Sequence, residues 1–411
     1  MASNAAAPLG ARGPAVSRAG AVPQERPRQP GALSLGVGLL NDPLRLSLFL
    51  LTLLTVSRIH QHFGVLAKVR PALLLFFVAL AIAFLRRRSI SLSNLFDTWP
   101  PKVIAGLAVA ACASAAFGIS LGASASYIIS DYSKVLVYAV LLIVAVRSVK
   151  DIWLFVVAYV AGSAILVWMS MFVFRLSVGY GSHTARLSNL YTFDANDLGL
   201  VLLVGLPLTL ILLHISRGVW KLACMGVVMG IGVALARSGS RGAMVGLAVV
   251  AVAILVSLKQ VAASKRLAFV GVLLAGLVVA APPGYWQQMG TLLSLKQDYN
   301  MTSPDGRKEV AKRGLQYMAS RPLFGIGINN FGRAEGTIGI GQIQELQRNY
   351  RKGVKWSAAH NSYVQVGAEL GIFGLVLYMT LLVGCIASLM KLRRRIPPVW
   401  ARAGPEEQFL Y

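Results

Sequence analysis

His360 opens the one stretch in this chain where an imidazole stands before a long apolar run: AHNSYVQVGAELGIFG, residues 359–374. A neutral imidazole, with an ordinary pKa of about 6.5, can take a proton from an attacking hydroxyl. The second chemical resource is arginine. Arg237 and Arg241 sit in ARSGSRGAMVG, Arg307 in DGRKEV, Arg186 in TARLSNLY and Arg321 in SRPLFGIGINNFG. A departing phosphate or pyrophosphate develops negative charge, and the planar, permanently charged guanidinium fork stabilises it through paired hydrogen bonds. Histidine with arginine therefore suits transfer from a phosphate-linked donor to a hydroxyl, if separate elements bring these side chains together. Other chemistries lack their signatures. There is no Walker-type Gly-rich loop, no His-Glu-x-x-His helix, no Cys pair at metal spacing and no Gly-x-Ser-x-Gly elbow. Asp194 and Asp197 could hold a metal ion by spacing, but their place before an apolar run reads as a helix cap. No metal site and no cofactor are expected.

The elements that must position these residues are membrane spans. Hydrophobic residues make up 56% of the 411, charged residues only 13%, and the mean hydropathy is +0.65. A soluble fold does not have this composition. Crossing a hydrocarbon layer ~30 Å thick takes ~20 mostly apolar residues in a helix, and lipid-exposed irregular backbone is excluded. Ten such segments are expected, near 43–58, 66–85, 103–122, 127–146, 152–174, 197–214, 219–236, 241–258, 267–282 and 360–390. The expected organisation is a disordered cytoplasmic tail at 1–33, a bundle of about nine spans over 34–282, a large outside loop at 283–358, the His-bearing span at 359–391, and a cytoplasmic tail at 392–411 that stops short of a further span.

The net charge of +25 does not point to nucleic acid, because the basic residues are spread over membrane-flanking links. With the N-terminus inside, the inside links carry roughly twice as many Lys and Arg as the outside ones, as the positive-inside rule requires. The long loop then lies outside and is itself basic, suited to an anionic ligand or to membrane lipids. Arg58, His60, His62, Lys68 and Arg70 in the first outside link read as interfacial anchors or as a headgroup contact. Arg237 and Arg241 fall at the outer membrane boundary. A cation costs roughly 2.5–3.5 kcal/mol at the bilayer centre and less at the interface, so each needs a partner, and a bound phosphate would serve.

Local patterns complete the reading. If 360–390 is one helix at ~100° per residue, His360, Val364, Gly367, Gly371 and Gly374 share a face, with Glu369 opposite. Val310, Leu315 and Met318 recur at helical spacing before Pro322, and PLFGIGINNFG reads as a shaped turn. Gly226 and Gly230 have helix-packing spacing, Asp131 and Lys134 could pair across one turn, and Cys112, Cys224 and Cys385 read as buried packing residues.

The ordered set ARSGSRGAMVG, DGRKEV, SRPLFGIGINNFG and HNSYVQVGAELGIFG resembles the O-antigen ligase and polymerase superfamily of bacterial membrane glycosyltransferases, over about 186–390. The spacing from His360-Asn361 to Gly371 and Gly374 is similar to the histidine motif of O-antigen ligases. The resemblance implies an all-α, multi-pass, GT-C-like helical bundle of about 10–12 spans with one large periplasmic loop. It implies metal-independent, inverting transfer of a glycan from undecaprenyl pyrophosphate to an acceptor hydroxyl, at the periplasmic face of the inner membrane. The partners would be an undecaprenyl-pyrophosphate-linked glycan donor, a lipid A-core or glycan acceptor, and membrane lipids. Arg241 and Arg307 would grip the pyrophosphate and His360 would activate the acceptor, with Arg186, Arg237, Asn361 and Arg321 as further substrate contacts. The sister reading is an O-antigen or exopolysaccharide polymerase. A different class, a polyprenyl-linked sugar transporter or flippase, would need polar groups lining a path at mid-membrane, where this sequence offers Ser and Gly but almost no charge apart from Glu369.

Overall fold

Apolar runs fold into helices wherever lipid leaves the backbone no other hydrogen-bond partner, and polar caps fix several of their starts here. The computed structural model describes residues 41–87, 93–178, 185–257, 261–294, 298–303, 306–339, 341 and 358–397. The expected tail at 1–33, the turn residues 304–305, most of the distal part of the long loop and the chain from 398 onward lie outside the described residues.

Eleven helices carry the argument. They are α1 (Pro43–Ser57), α2 (Pro71–Leu85), α3 (Trp99–Phe117), α4 (Leu121–Ala145), α5 (Val149–Phe172), α6 (Ala195–Ile215), α7 (Gly218–Ser238), α8 (Arg241–Ser257), α9 (Ala263–Ala280), α10 (Arg307–Ser320) and α11 (Ser362–Arg395). Seven of these, α3 to α7, α9 and α11, are long and apolar enough to cross a membrane, and α1, α2 and α8 are shorter apolar helices. The chain is an all-α multi-pass membrane protein. Capping boxes start two of its spans. Ser148 and Asp151 exchange bonds at α5, and Asp194 and Asp197 do so at α6. The two aspartates that could have been metal ligands are thus a helix start.

The main core joins α5, α6, α7 and α9 through Leu166, Leu198, Leu202, Leu206, Ile231 and Leu277. Between apolar helices in lipid the attraction is close packing. Gly162 on α5 faces Val56 of α1, and Gly230 on α7 faces Val167 of α5; a Cβ at either glycine would collide. Gly226, its expected companion, faces open space.

α11 is not the single straight helix that the periodicity suggested. Gly371 lies at φ 68°, ψ −165°, and breaks it. The Gly-rich turn after α10 fills the gap with hydrogen bonds. Ile372 N donates to Pro322 O at 2.8 Å, Ile326 N to Ala368 O at 2.9 Å and Gly327 N to Glu369 O at 3.1 Å. Glu369 does not face away from the glycines. Its side chain is 6% exposed and accepts from Asn329 N at 2.8 Å, Phe331 N at 3.2 Å and Gln365 Nε2 at 3.2 Å. Ser114 of α3 donates to Glu369 O at 2.6 Å, and Ile119 N to Ile326 O at 2.8 Å. The turn thereby ties α3 and α10 to α11.

Below the turn, Arg313 and Glu335 form a two-pronged pair, Nη2 to Oε2 at 2.7 Å and Nε to Oε1 at 2.9 Å, with exposures of 5% and 0%. Tyr317 donates its hydroxyl to Glu335 at 2.8 Å. The buried face of α10 is therefore Val310, Arg313, Gly314 and Tyr317, and Leu315 is exposed. Two smaller expectations also fail. Asp131 sits in a π-turn inside α4 and accepts from Ser130 at 2.6 Å rather than pairing with Lys134. Cys112 is exposed on α3, and Cys224 and Cys385 are half-buried; all three are free thiols.

Gly371→Ala should destabilise the detergent-solubilised protein by about 2–4 kcal/mol, adding the cost of a glycine-only conformation to a collision with Leu323 O. Gly226→Ala should be near neutral, and a chemical-unfolding series comparing the two checks this. Glu335→Ala should cost about 3–5 kcal/mol by stranding a buried guanidinium, and adding Arg313→Leu should recover part of that loss.

Candidate active site at one end of the bundle

Several links meet at the end of the bundle where α5 and α7 finish and α6, α8, α10 and α11 begin. Two short strands, β1 (Arg175–Val178) and β2 (Ala185–Ser188), pair antiparallel there with Ser177 opposite Arg186. Alternation along β2 buries Leu187 and turns Arg186 the other way. Arg186 Nε donates to Ser238 O, at the last residue of α7, at 3.1 Å, and Nη2 donates to Asn196 Oδ1 at 3.3 Å. A cation on the last carbonyls of a helix is favourable.

The turn from α7 into α8 needs Gly239 in the left-handed region, at φ 58°. Ser240 then starts α8. Its hydroxyl accepts from Ala243 N at 3.2 Å and donates to Asn196 Oδ1 at 2.8 Å, while Gln288 Nε2 donates to Gly239 O at 2.8 Å. Arg241 is thereby fixed as the first residue of α8. The sequence left its partner open between a bound phosphate and a protein group, and the structure supplies a protein one. Nη1 donates to Asp298 Oδ1 at 2.6 Å and to Thr291 Oγ1 at 2.8 Å. Nε and Nη2 of Arg241 make no hydrogen bond among the described residues, and its side chain is 20% exposed.

Arg307 is the first residue of α10, exposed, behind Gly306 at the cap. It makes no hydrogen bond among the described residues. Its position relative to the other arginines shows in Arg186, whose pKa lies below the usual arginine value. Burial is the main cause, Asp194 opposes it, and the charges of Arg241 and Arg307 add to it. The three guanidiniums therefore share one electrostatic field. An arginine stays charged under such shifts, so the trio is a standing positive centre, reinforced by the starts of α8 and α10.

His360 stands at φ 51° just before α11, exposed, and Asn361 caps that helix by accepting from Tyr363 N at 3.0 Å and Val364 N at 3.2 Å. α10 and α11 run parallel: Gly314 abuts Val364, Met318 abuts Gly367, and the turn after α10 abuts Gly371. Continuing backward, Ala359 shares a core with Val310. His360 thus lies near the first turn of α10, whose first residue is Arg307.

The structure brings Arg186, Arg241 and Arg307 into one field, and His360 lies near the start of α10. The other sequence candidates hold places of a different kind. Asn361 spends its side-chain oxygen on the cap. Arg321 donates Nη1 to Phe117 O at 2.7 Å, bracing the end of α3. Arg237, on the last turn of α7, is half-buried with its Nε unpartnered. Of the first outside link, Arg58 lies 5.1 Å over the Phe193 ring and His62 Nδ1 is 2.8 Å from the Tyr191 hydroxyl, so this link supports the segment that carries Arg186. Gln288 and Asp298 escaped the sequence reading. Ser240, three residues before Ala243 at the start of an apolar run, carried a recognisable capping signal; Asp298 carried none.

Residues 226–379 match the family model described as O-antigen ligase. No curated protein and no solved structure matches the chain. The matched segment runs from α7 to α11 and holds Arg237, Arg241, Arg307, Arg321, His360 and Asn361, with Arg186 just outside it. This segment, in a chain with seven helices of membrane-spanning length, is thus similar to the O-antigen ligase family.

Proposed function

We propose that this protein transfers a glycan from undecaprenyl pyrophosphate to an acceptor hydroxyl at the periplasmic face of the bacterial inner membrane, as an O-antigen ligase acting on lipid A-core. The observation that supports the reading is the shared field of Arg186, Arg241 and Arg307, with His360 near the start of α10. In this reaction the acceptor oxygen attacks the anomeric carbon of the donor sugar from the side opposite the pyrophosphate. The acceptor proton passes to a neutral His360 imidazole. The carbon–oxygen bond to the pyrophosphate breaks, and its electron pair leaves with the lipid pyrophosphate. Inversion at the anomeric carbon follows from that single displacement. Arg241, whose Nε and Nη2 make no hydrogen bond among the described residues, and Arg307, with no protein partner among them, supply the fork contacts that strengthen as charge develops. Arg186 is held by Ser238 O and Asn196, and it contributes chiefly field.

The proposal is tested by transfer from a defined undecaprenyl-pyrophosphate glycan in the presence of EDTA, with lipid A-core and a second lipid-linked glycan as competing acceptors. Product on lipid A-core is expected. Longer lipid-linked chains would make the protein a polymerase, and movement of a lipid-linked sugar across vesicles without a new glycosidic bond would make it a transporter. His360→Ala should lower the rate about 10²- to 10⁴-fold, and Arg307→Ala about 10²- to 10³-fold. Arg307→Lys should fall between, because an ammonium restores charge without the fork. An unchanged rate in His360→Ala would remove the proton-accepting role from this residue.

A further inference from the structure

At the opposite end of the bundle, three other arginines from three different parts of the chain line a cavity of about 90 Å³. Arg45 comes from the first turn of α1, Arg86 from the end of α2 and Arg147 from the link after α4. Two carboxylates reach these arginines, and both are heavily committed. Asp42 starts α1, accepting from Leu44 N at 2.9 Å and Arg45 N at 3.4 Å, and both its oxygens accept from Arg86 Nη1 at 2.9 Å. Asp151 is fully buried. Its Oδ1 lies 2.9 Å from Arg45 Nε, and its Oδ2 accepts from Arg147 N, Ser148 N and Ser148 Oγ, each at 2.9 Å.

Among the described residues, three guanidiniums thus face two carboxylates, each with one oxygen holding a helix start. Arg147 completes the imbalance. Its side chain is exposed, and its one hydrogen bond among the described residues runs from Nε to the nearby Val144 O at 3.3 Å, so both Nη groups are without a hydrogen bond there. A cavity of this size holds several waters or one tetrahedral oxyanion. Its remaining wall is apolar, formed by Leu44, Val144 and Ala145 at the ends of membrane helices. A cationic pocket with one greasy wall at a membrane boundary matches an ester whose charged group is attached to acyl chains.

We propose that this cavity binds the phosphate group of an anionic phospholipid. The site is separate from the glycan-transfer centre and does not depend on the reading of that centre. The ligand chemistry, a phosphate oxyanion, could also be met by free phosphate, and the apolar wall favours the lipid.

The test uses the full chain, delipidated in detergent and titrated with phosphatidylglycerol, phosphatidylcholine or inorganic phosphate, with bound lipid counted by native mass spectrometry and protection followed by the melting temperature. Phosphatidylglycerol should bind and raise the melting temperature, and phosphatidylcholine should do so far less. Arg147→Gln should weaken phosphatidylglycerol binding about fivefold, and Arg147→Lys should retain most of it. Arg147 carries no interhelical pair, so both variants should fold. Equal phosphatidylglycerol binding by wild type and Arg147→Gln would overturn the proposal, as would equal protection by the two lipids. Saturable protection by inorganic phosphate that lipid does not increase would assign the cavity to a soluble ion and overturn the lipid assignment.

Discussion

The structure depends on an exchange of backbone hydrogen bonds at the break in α11. Within a continuous helix Ile372 N would bond to Ala368 O; with Gly371 turned to positive φ it reaches Pro322 O instead, and Ala368 O accepts from Ile326 N. A membrane-buried helix can tolerate freed carbonyls only where protein satisfies them, and the 322–327 segment is that protein. The Glu369 carboxylate then takes two further amides from the same turn. One short stretch therefore fixes where α10 ends, how it lies against α11, and where Arg307 stands relative to His360.

The arginine end is built by a different device. Its residues are first or last in their elements: Arg241 and Arg307 begin helices, and Arg186 closes one from outside. The guanidiniums project from rigid ends while Asn196, Ser240 and Gln288 hold the intervening turns. Placing a catalytic centre at helix starts adds the partial charge of the backbone to that of the side chains.

Much of this was legible beforehand because it rests on period, composition and order. Membrane length alone located the apolar helices, and ARSGSRGAMVG and HNSYVQVGAELGIFG together pointed to the family. The role of PLFGIGINNFG as a shaped turn could be read from its glycines, yet its docking partner could not. Helical periodicity assumes unbroken geometry, so it placed Glu369 away from Gly371 when the break brings both to the same turn. It likewise gave Leu315 to the core in place of Arg313, because the partner that makes a buried arginine tolerable, Glu335, lies on another element. Asp298 belongs to the same class. A long-range ion pair leaves no mark in either partner's local sequence.

Within the proposed reaction that last pair has a kinetic meaning. Asp298 occupies Nη1 of Arg241 and leaves its other edge free. A carboxylate resident in the site moderates the pull of three guanidiniums on any anion that forms there. A centre of unopposed cations would hold a spent lipid pyrophosphate as firmly as it helped create it. In the proposed reaction Asp298 would temper that hold, and this acidic residue would act on how quickly the membrane carrier is returned.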